Sequence, residues 1–160
     1  MADIEYTDNS ATVKAALSSG VTAFLYEAGG ELQGQAFRNS RVDNGHTRGS
    51  YQYKVQEGSG ESTAHVGSNL QNAIWEEFGT GEYALHGDGR KGAWCVPADN
   101  YTGSKKPTYN GKVVIVYGKN GQKFYKTNGK KPNRPMYNAF NSLREKLKQR
   151  LEEILISRLG

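Results

Sequence analysis

The sequence predicts an α+β fold: a long N-terminal helix, a small antiparallel β-sheet with a long loop excursion, and a C-terminal amphipathic helix. Three observations predict it. Apolar residues recur at intervals of three and four at Val13, Leu17, Val21, Phe24, Ala28, Leu32 and Ala36, the spacing of one helix face. The same spacing returns at Met136, Phe140, Leu143, Leu147, Leu151, Ile154 and Leu155. Between these stretches lie short alternating or β-branched runs separated by glycine-rich turns, the pattern of antiparallel strands. Helices flanking a run of strands give an α+β arrangement in one domain spanning residues 1–160.

The first helix is expected from about Ser10 to Asn39, with Asp8, Asn9 or Ser10 as its cap. Gly20, Gly29 and Gly30 each cost it about 1 kcal/mol against alanine. A helix that carries them packs closely there or bends. Asn44-Gly45 marks a turn. Tyr51, Tyr53 and Val55 alternate with Ser50, Gln52 and Lys54, giving a strand with one buried face, and Thr63 to Gly67 returns as its partner. The stretch Val66 to Gly81 follows. Its apolar patch, Ala73, Ile74, Trp75 and Phe78, encloses Glu76 and Glu77 and stops at Gly79-Thr80-Gly81. It reads as a packed anchor followed by a loop that leaves the domain, and so short an apolar run fits either a strand or a helical turn. Residues 82–107 are rich in Gly, Asp, Asn and Lys and are expected as a long irregular loop around one apolar knot, Trp94-Cys95-Val96. Lys112 to Tyr117 and Gln122 to Thr127 form a hairpin across an Asn-Gly turn. A proline-bearing linker, Lys130 to Pro135, opens the last helix, where proline suits the first turn.

The chain has 160 residues, enough for one domain with a moderate core, but only 36% are hydrophobic. So lean a core suits long polar loops or an apolar surface completed by a partner. No apolar run reaches the length of a membrane span, no secretory signal is expected, and a single cysteine, Cys95, forms no intrachain disulfide. The net charge of +5 is uneven: residues 100–134 hold nine Lys and Arg and no Asp or Glu. Such a segment attracts phosphate or an acidic partner, or is a solvated hairpin. Tyr101, Tyr109, Tyr117, Phe124 and Tyr125 interleave with it. They serve base stacking in a nucleic-acid module or cross-strand packing in a sheet.

Local signatures of catalysis are missing. Glu76, Glu77, Glu82 and Asp88 have no spacing that fixes a two-carboxylate site. His46, His65 and His86 show no zinc-ligand spacing, and Cys95 has no CxxC partner. The glycines near Thr80 and Asp88 fall outside the known phosphate-loop patterns. No catalytic residue, cofactor or metal is expected, and the chain is read as a non-enzyme.

Three pieces in order carry a family resemblance. Val42-Asp43-Asn44-Gly45-His46-Thr47-Arg48-Gly49-Ser50-Tyr51 resembles a Val-Asp-Thr-Gly-x-Leu-Arg-x-Ser-Ile consensus, with Thr47 in place of leucine. Val66-Gly67-Ser68 through Ala73-Ile74-Trp75-Glu76-Glu77-Phe78-Gly79-Thr80-Gly81 is similar to Val-Gly-(Thr/Ser) followed by Tyr-Ala-x-x-x-Glu-Phe-Gly-Thr-Gly. Lys131 to Phe140 is similar to a Pro-x-x-Pro-Phe-(Leu/Met)-x-Pro-Ala segment, without its phenylalanine and later proline. Together they resemble the neck, head–tail joining or tail-completion proteins of long-tailed bacteriophages and prophages, of which minor tail protein Z of lambdoid phages is a related type. Residues 82–107 have no counterpart in the pattern.

The resemblance implies a virion structural protein at the head–tail junction, made in the host bacterial cytoplasm. It would assemble with itself as a ring, six copies being the preferred number, between head-connector and tail-tube or tail-terminator proteins. Trp75, Glu76, Phe78, Gly79, Thr80 and Gly81 are then the expected assembly loop. Lys119, Lys123, Lys130, Lys131 and Arg134 are candidates for lining a channel that tolerates passing DNA without reading its sequence. The alternative reading is a basic nucleic-acid-binding module.

Overall fold

A computed structural model describes residues 8–43, 45–58 and 60–159. Its frame is an antiparallel pair of helices, α1 (Ser10–Asn39) and α4 (Pro135–Leu159). Asp8 accepts the Ser10 amide at 2.9 Å at the start of α1. Ser40 ends the helix, returning both its amide and its hydroxyl to the Ala36 carbonyl. Small residues set the distance between the helices. Ala36 and Ala139 are fully buried in one cluster, and Ile154 lies where a Gly20 side chain would begin, its Cγ2 3.1 Å from that position. Lys146–Glu31 (2.7 Å) and Arg150–Glu27 (3.1 Å) follow the same antiparallel register along the rim. The apolar stripe of α4 is turned by one residue from its expected setting at the N-terminal end. Ala139 takes the buried position and Phe140 is 51% exposed, because the approach of Ala36 leaves no room there for a ring.

The hairpin of β1 (Tyr51–Glu57) and β2 (Ser62–Ser68) lies against α1, in the register Tyr51↔Ser68 to Glu57↔Ser62. Tyr51 is buried in the cluster of Ala36, Ala73 and Ala139, with Met136 beside it. The Tyr53 ring rests on Gly29 so closely that a Cβ there would meet Cδ2 at 2.5 Å. The helix glycines therefore mark close packing, as their cost in an uninterrupted helix implies. One turn of helix, α2 (His46–Gly49), occupies the expected turn after α1, and α3 (Gln71–Phe78) settles the anchor as helix.

A second sheet stands where one sheet with a long irregular loop was expected. It comprises β3 (Trp94–Pro97), β4 (Val114–Tyr117) and β5 (Lys123–Thr127), in the antiparallel order β3-β5-β4. The apolar knot Trp94-Cys95-Val96 is thus a strand, drawn out of the expected loop by pairing with β5, Trp94 opposite Thr127. A single 3₁₀ turn, Gly81–Tyr83, also interrupts that loop. The β4–β5 connection is a turn closed by Gly121 N–H to the Gly118 carbonyl, with Gly121 at φ +74°, a left-handed setting that glycine adopts freely. The three strands make their main contacts with one another and not with the helices. Tyr101 covers Tyr125 edge-on at 5.9 Å, and Ser104 donates its amide to Asp43 at 2.7 Å, bringing the following loop back to the end of α1. Among the described residues, no helix is long and apolar enough to cross a membrane.

Candidate functional site

The helix–hairpin layer and the second sheet are joined by a polar seam built from the Glu76–Gly81 stretch. α3 starts after Leu70, whose amide is held by the Ser68 hydroxyl at 3.1 Å, and stops at Gly79, where φ is +75°. A side chain at Gly79 would meet the Tyr83 and Lys130 carbonyl oxygens within 3 Å. Glu76 is 4% exposed. Lys130 holds one carboxylate oxygen at 2.5 Å, while the Arg41 amide (3.4 Å) and guanidinium (3.8 Å) face the other. The Glu76 carbonyl accepts the amides of Asn133 (2.8 Å) and Arg134 (3.2 Å). Glu77 points the other way. Its two oxygens accept the amides of Met136 (2.8 Å) and Tyr137 (3.0 Å). A carboxylate so placed satisfies two of the unpaired donors of α4's first turn and complements its dipole, worth about 0.5–2 kcal/mol.

Thr80 and Lys130 exchange bonds. The Thr80 amide donates to the Lys130 carbonyl (2.9 Å), and the Lys130 amide donates to the Thr80 hydroxyl (3.0 Å). Gly81 passes so near the Asn128 carbonyl that a Cβ would lie 2.4 Å from it. Asn128 is 2% exposed and directs its amide nitrogen to Glu82, Tyr83 and Asn110. The stretch expected to leave the domain thus runs along its own chain at 128–130. Its glycines serve close backbone approach within the subunit. Ile74, Trp75, Phe78 and Leu85 stay exposed beside it, and the Phe78 ring lies 5.0 Å from His86.

The five basic candidates fall in two groups, one at the start of β5 and one beyond its end. Lys119 is exposed in the β4–β5 turn, and Lys123 is half-buried opposite Tyr117. Lys130, Lys131 and Arg134 lie on the linker. Lys130 is bound to Glu76, Lys131 lies 5.6 Å over the Tyr83 ring, and Arg134 lies 3.5 Å over the Tyr137 ring. Lys126, from the same acid-free segment, sits 4.2 Å over Tyr109. Each such contact holds a cation against a ring face.

A cleft of about 320 Å³ opens between the end of α1, α3 and the 101–103 loop, lined by Arg41, Asp43, Arg48, Trp75, Thr80 and Lys130 among others. Its charges answer one another within the chain. Arg48 donates to the Phe37 carbonyl at 3.0 Å and stacks on that ring at 4.0 Å. The Ser104 hydrogen bonds hold the Asp43 carboxyl below its ordinary value. Both oxygens of Glu76 and of Glu77 are engaged by protein donors. Among the described residues, no group of three His, Cys, Asp or Glu is placed to hold a metal ion.

Sequence reasoning marked Glu76, Gly79, Thr80 and Gly81, which the structure brings together. It missed Arg41, Asn128 and the capping role of Glu77. Arg41 and Glu77 act on groups far along the chain, and Asn128 carried only the ordinary signal of an Asn-Gly turn. Comparison of the chain with protein-family models, with curated proteins and with solved structures finds no match.

Proposed function

We propose that this chain is a structural assembly subunit of a tailed phage that forms a ring at the head–tail junction and joins the head connector to the tail. One observation carries the assembly part of the reading. A monomer of 17.6 kDa exposes about 7,900 Å² by the usual scaling of surface with mass. This chain exposes 11295 Å². The excess is several times the roughly 800 Å² that one partner gives to a standard interface. It is also apolar in part: Trp75, Phe78, Tyr117, Phe140 and Ile156 are among the exposed large side chains. The fully buried core, by contrast, is mostly alanine. Such a surface belongs to a subunit finished by neighbours. The place in the virion comes from the resemblance of the three motifs. Head-to-tail contacts whose rotation closes would make the ring, with six copies preferred. Head-connector and tail-tube or tail-terminator proteins are the proposed partners, with passing DNA in loose, non-specific contact.

Light scattering across concentration, with and without salt and a short duplex, tests this. The expected result is a ring-sized species, little affected by DNA at physiological salt. The acid-free 100–134 segment motivates the second reading, a nucleic-acid module. A chain that stays monomeric at every concentration and binds duplex with affinity falling steeply as salt rises would replace the ring with that module.

A further inference from the structure

We infer that the outer edge of β4 is a docking site for an extended acidic strand of a partner protein, which adds to the second sheet as its fourth strand. The inference adds one surface and one partner chemistry to the assembly reading, and the strand geometry carries it without the ring.

The two edges of this sheet differ. In antiparallel pairing, alternate residues turn their main-chain groups toward the neighbour and the rest turn outward. The Gly118 amide donates to the Gln122 carbonyl at 2.8 Å, so Val116 and Val114 also face β5, opposite Phe124 and Lys126. Ile115 and Tyr117 therefore present their N–H and C=O groups outward. On the other side, the Ala98 amide donates to Lys123 at 2.9 Å, which turns Cys95 and Pro97 outward. Pro97 has no N–H, so one of the two outward positions of that edge cannot donate, a common protection of sheet edges. The β4 edge is of the same length but carries no proline. Val113, Ile115, Val116 and Tyr117 are 48%, 39%, 38% and 68% exposed, so side chains on both faces of the strand are open to a partner strand.

Charge selects the occupant. Lys112 and Lys119 flank the edge, Lys123 and Lys126 lie on the next strand, and no acidic residue occurs between 100 and 134. A second copy presenting its own β4 would bring like charge to like. A strand carrying Asp or Glu would be drawn in and aligned, its main chain bonding to Ile115 and Tyr117 as in other cases of strand addition.

The test uses the full chain and two labelled heptapeptides alternating valine with glutamate or valine with lysine. Ile115→Pro removes an outward N–H and leaves the β5 ladder whole, and Tyr117→Pro does the same as a second variant. Circular dichroism confirms that each is folded. The glutamate peptide should bind the natural chain, weaken as salt rises, and slow amide exchange at Ile115 and Tyr117 but not further at Val114 or Val116. Binding should fall at least about tenfold in Ile115→Pro and with the lysine peptide, in line with the loss of a main-chain bond and of the charge match. Equal binding by the proline variants, equal binding of the lysine peptide, or no binding of either overturns the proposal. So does a dimer of the natural chain that Ile115→Pro abolishes, since the occupant is then a second copy. A chain that stays monomeric by light scattering, binds duplex with a steep salt dependence and still binds the glutamate peptide defeats the ring and leaves the edge site standing.

Discussion

The helix–hairpin layer and the second sheet are held by opposite means. In the first, small residues let backbones and rings come close: Ala36 against Ala139, Ile154 against Gly20 and Tyr53 against Gly29. Ion pairs, Lys146–Glu31 and Arg150–Glu27, run only along the rim of that contact, and its tightness follows from what the side chains lack. The second sheet packs its larger residues among themselves and is fastened to the layer by amide–carbonyl bonds and one ion pair around Glu76, Thr80 and Lys130. The difference teaches that this chain separates the part that gives it shape from the part that offers surface. The layer is sensitive to added atoms, and the sheet is sensitive to loss of its fastening.

Gly81→Ala would strain that comparison most. The new methyl would meet the Asn128 carbonyl from a residue at φ +62°, and the expected cost is more than about 3 kcal/mol. Hydrogen exchange locates the damage: amides of β3 and β5 should lose protection while those of α1 and α4 keep theirs. Equal loss in both would show that the two regions unfold as one. Gly29→Ala sharpens the other side. Overpacking against Tyr53 costs about 1–3 kcal/mol, partly offset by about 1 kcal/mol of helix propensity. Its partner change Gly20→Ala meets the Ile154 γ2 methyl and the Arg158 stem, at 3.1 and 3.4 Å. It should be neutral or stabilising by up to about 1 kcal/mol in urea unfolding. Similar losses at both positions would mean that the close approach is uniform along α1.

The smallest expected effect is the pH response of the Asp43–Ser104 contact. A carboxyl whose pKa is lowered on folding contributes fully above its unfolded value near ~3.9, and that contribution is lost as pH falls through the lower folded value. The Ser104 amide shift should therefore titrate with a midpoint below the ordinary aspartate range. A midpoint at the ordinary value would detach this loop from the end of α1.

The elements legible in sequence were those fixed by local period. Both long helices fall where the three-and-four spacing places them, and Gly20 and Gly29 announced close packing because nothing else explains them mid-helix. β3 was illegible because its partner β5 lies about thirty residues on and glycines surround it. The burial of Ala139 in place of Phe140 was equally hidden, since both fit the helical stripe and only the approach of α1 decides between them. At the seam, the glycines and Glu76 stood out by composition. Arg41 and the cap that Glu77 gives to α4 arise from contacts 35 and 59 residues apart and leave no local trace.

The bond from the Asn133 amide to the Glu76 carbonyl places the two ends of a long stretch, roughly residues 79–132, side by side. That stretch is therefore a cassette whose chain enters and leaves at one place, with Lys130–Glu76, Ser104–Asp43 and the Arg41–Lys131 carbonyl bond as its further ties to the layer. Its removal leaves a gap between α3 and α4 that a few turn residues can bridge, and loop-closure entropy grows only slowly with what is inserted there. The helix–hairpin layer can thus be regarded as a reusable chassis, on which exchange of one contiguous segment would change the presented surface without redesign of the core.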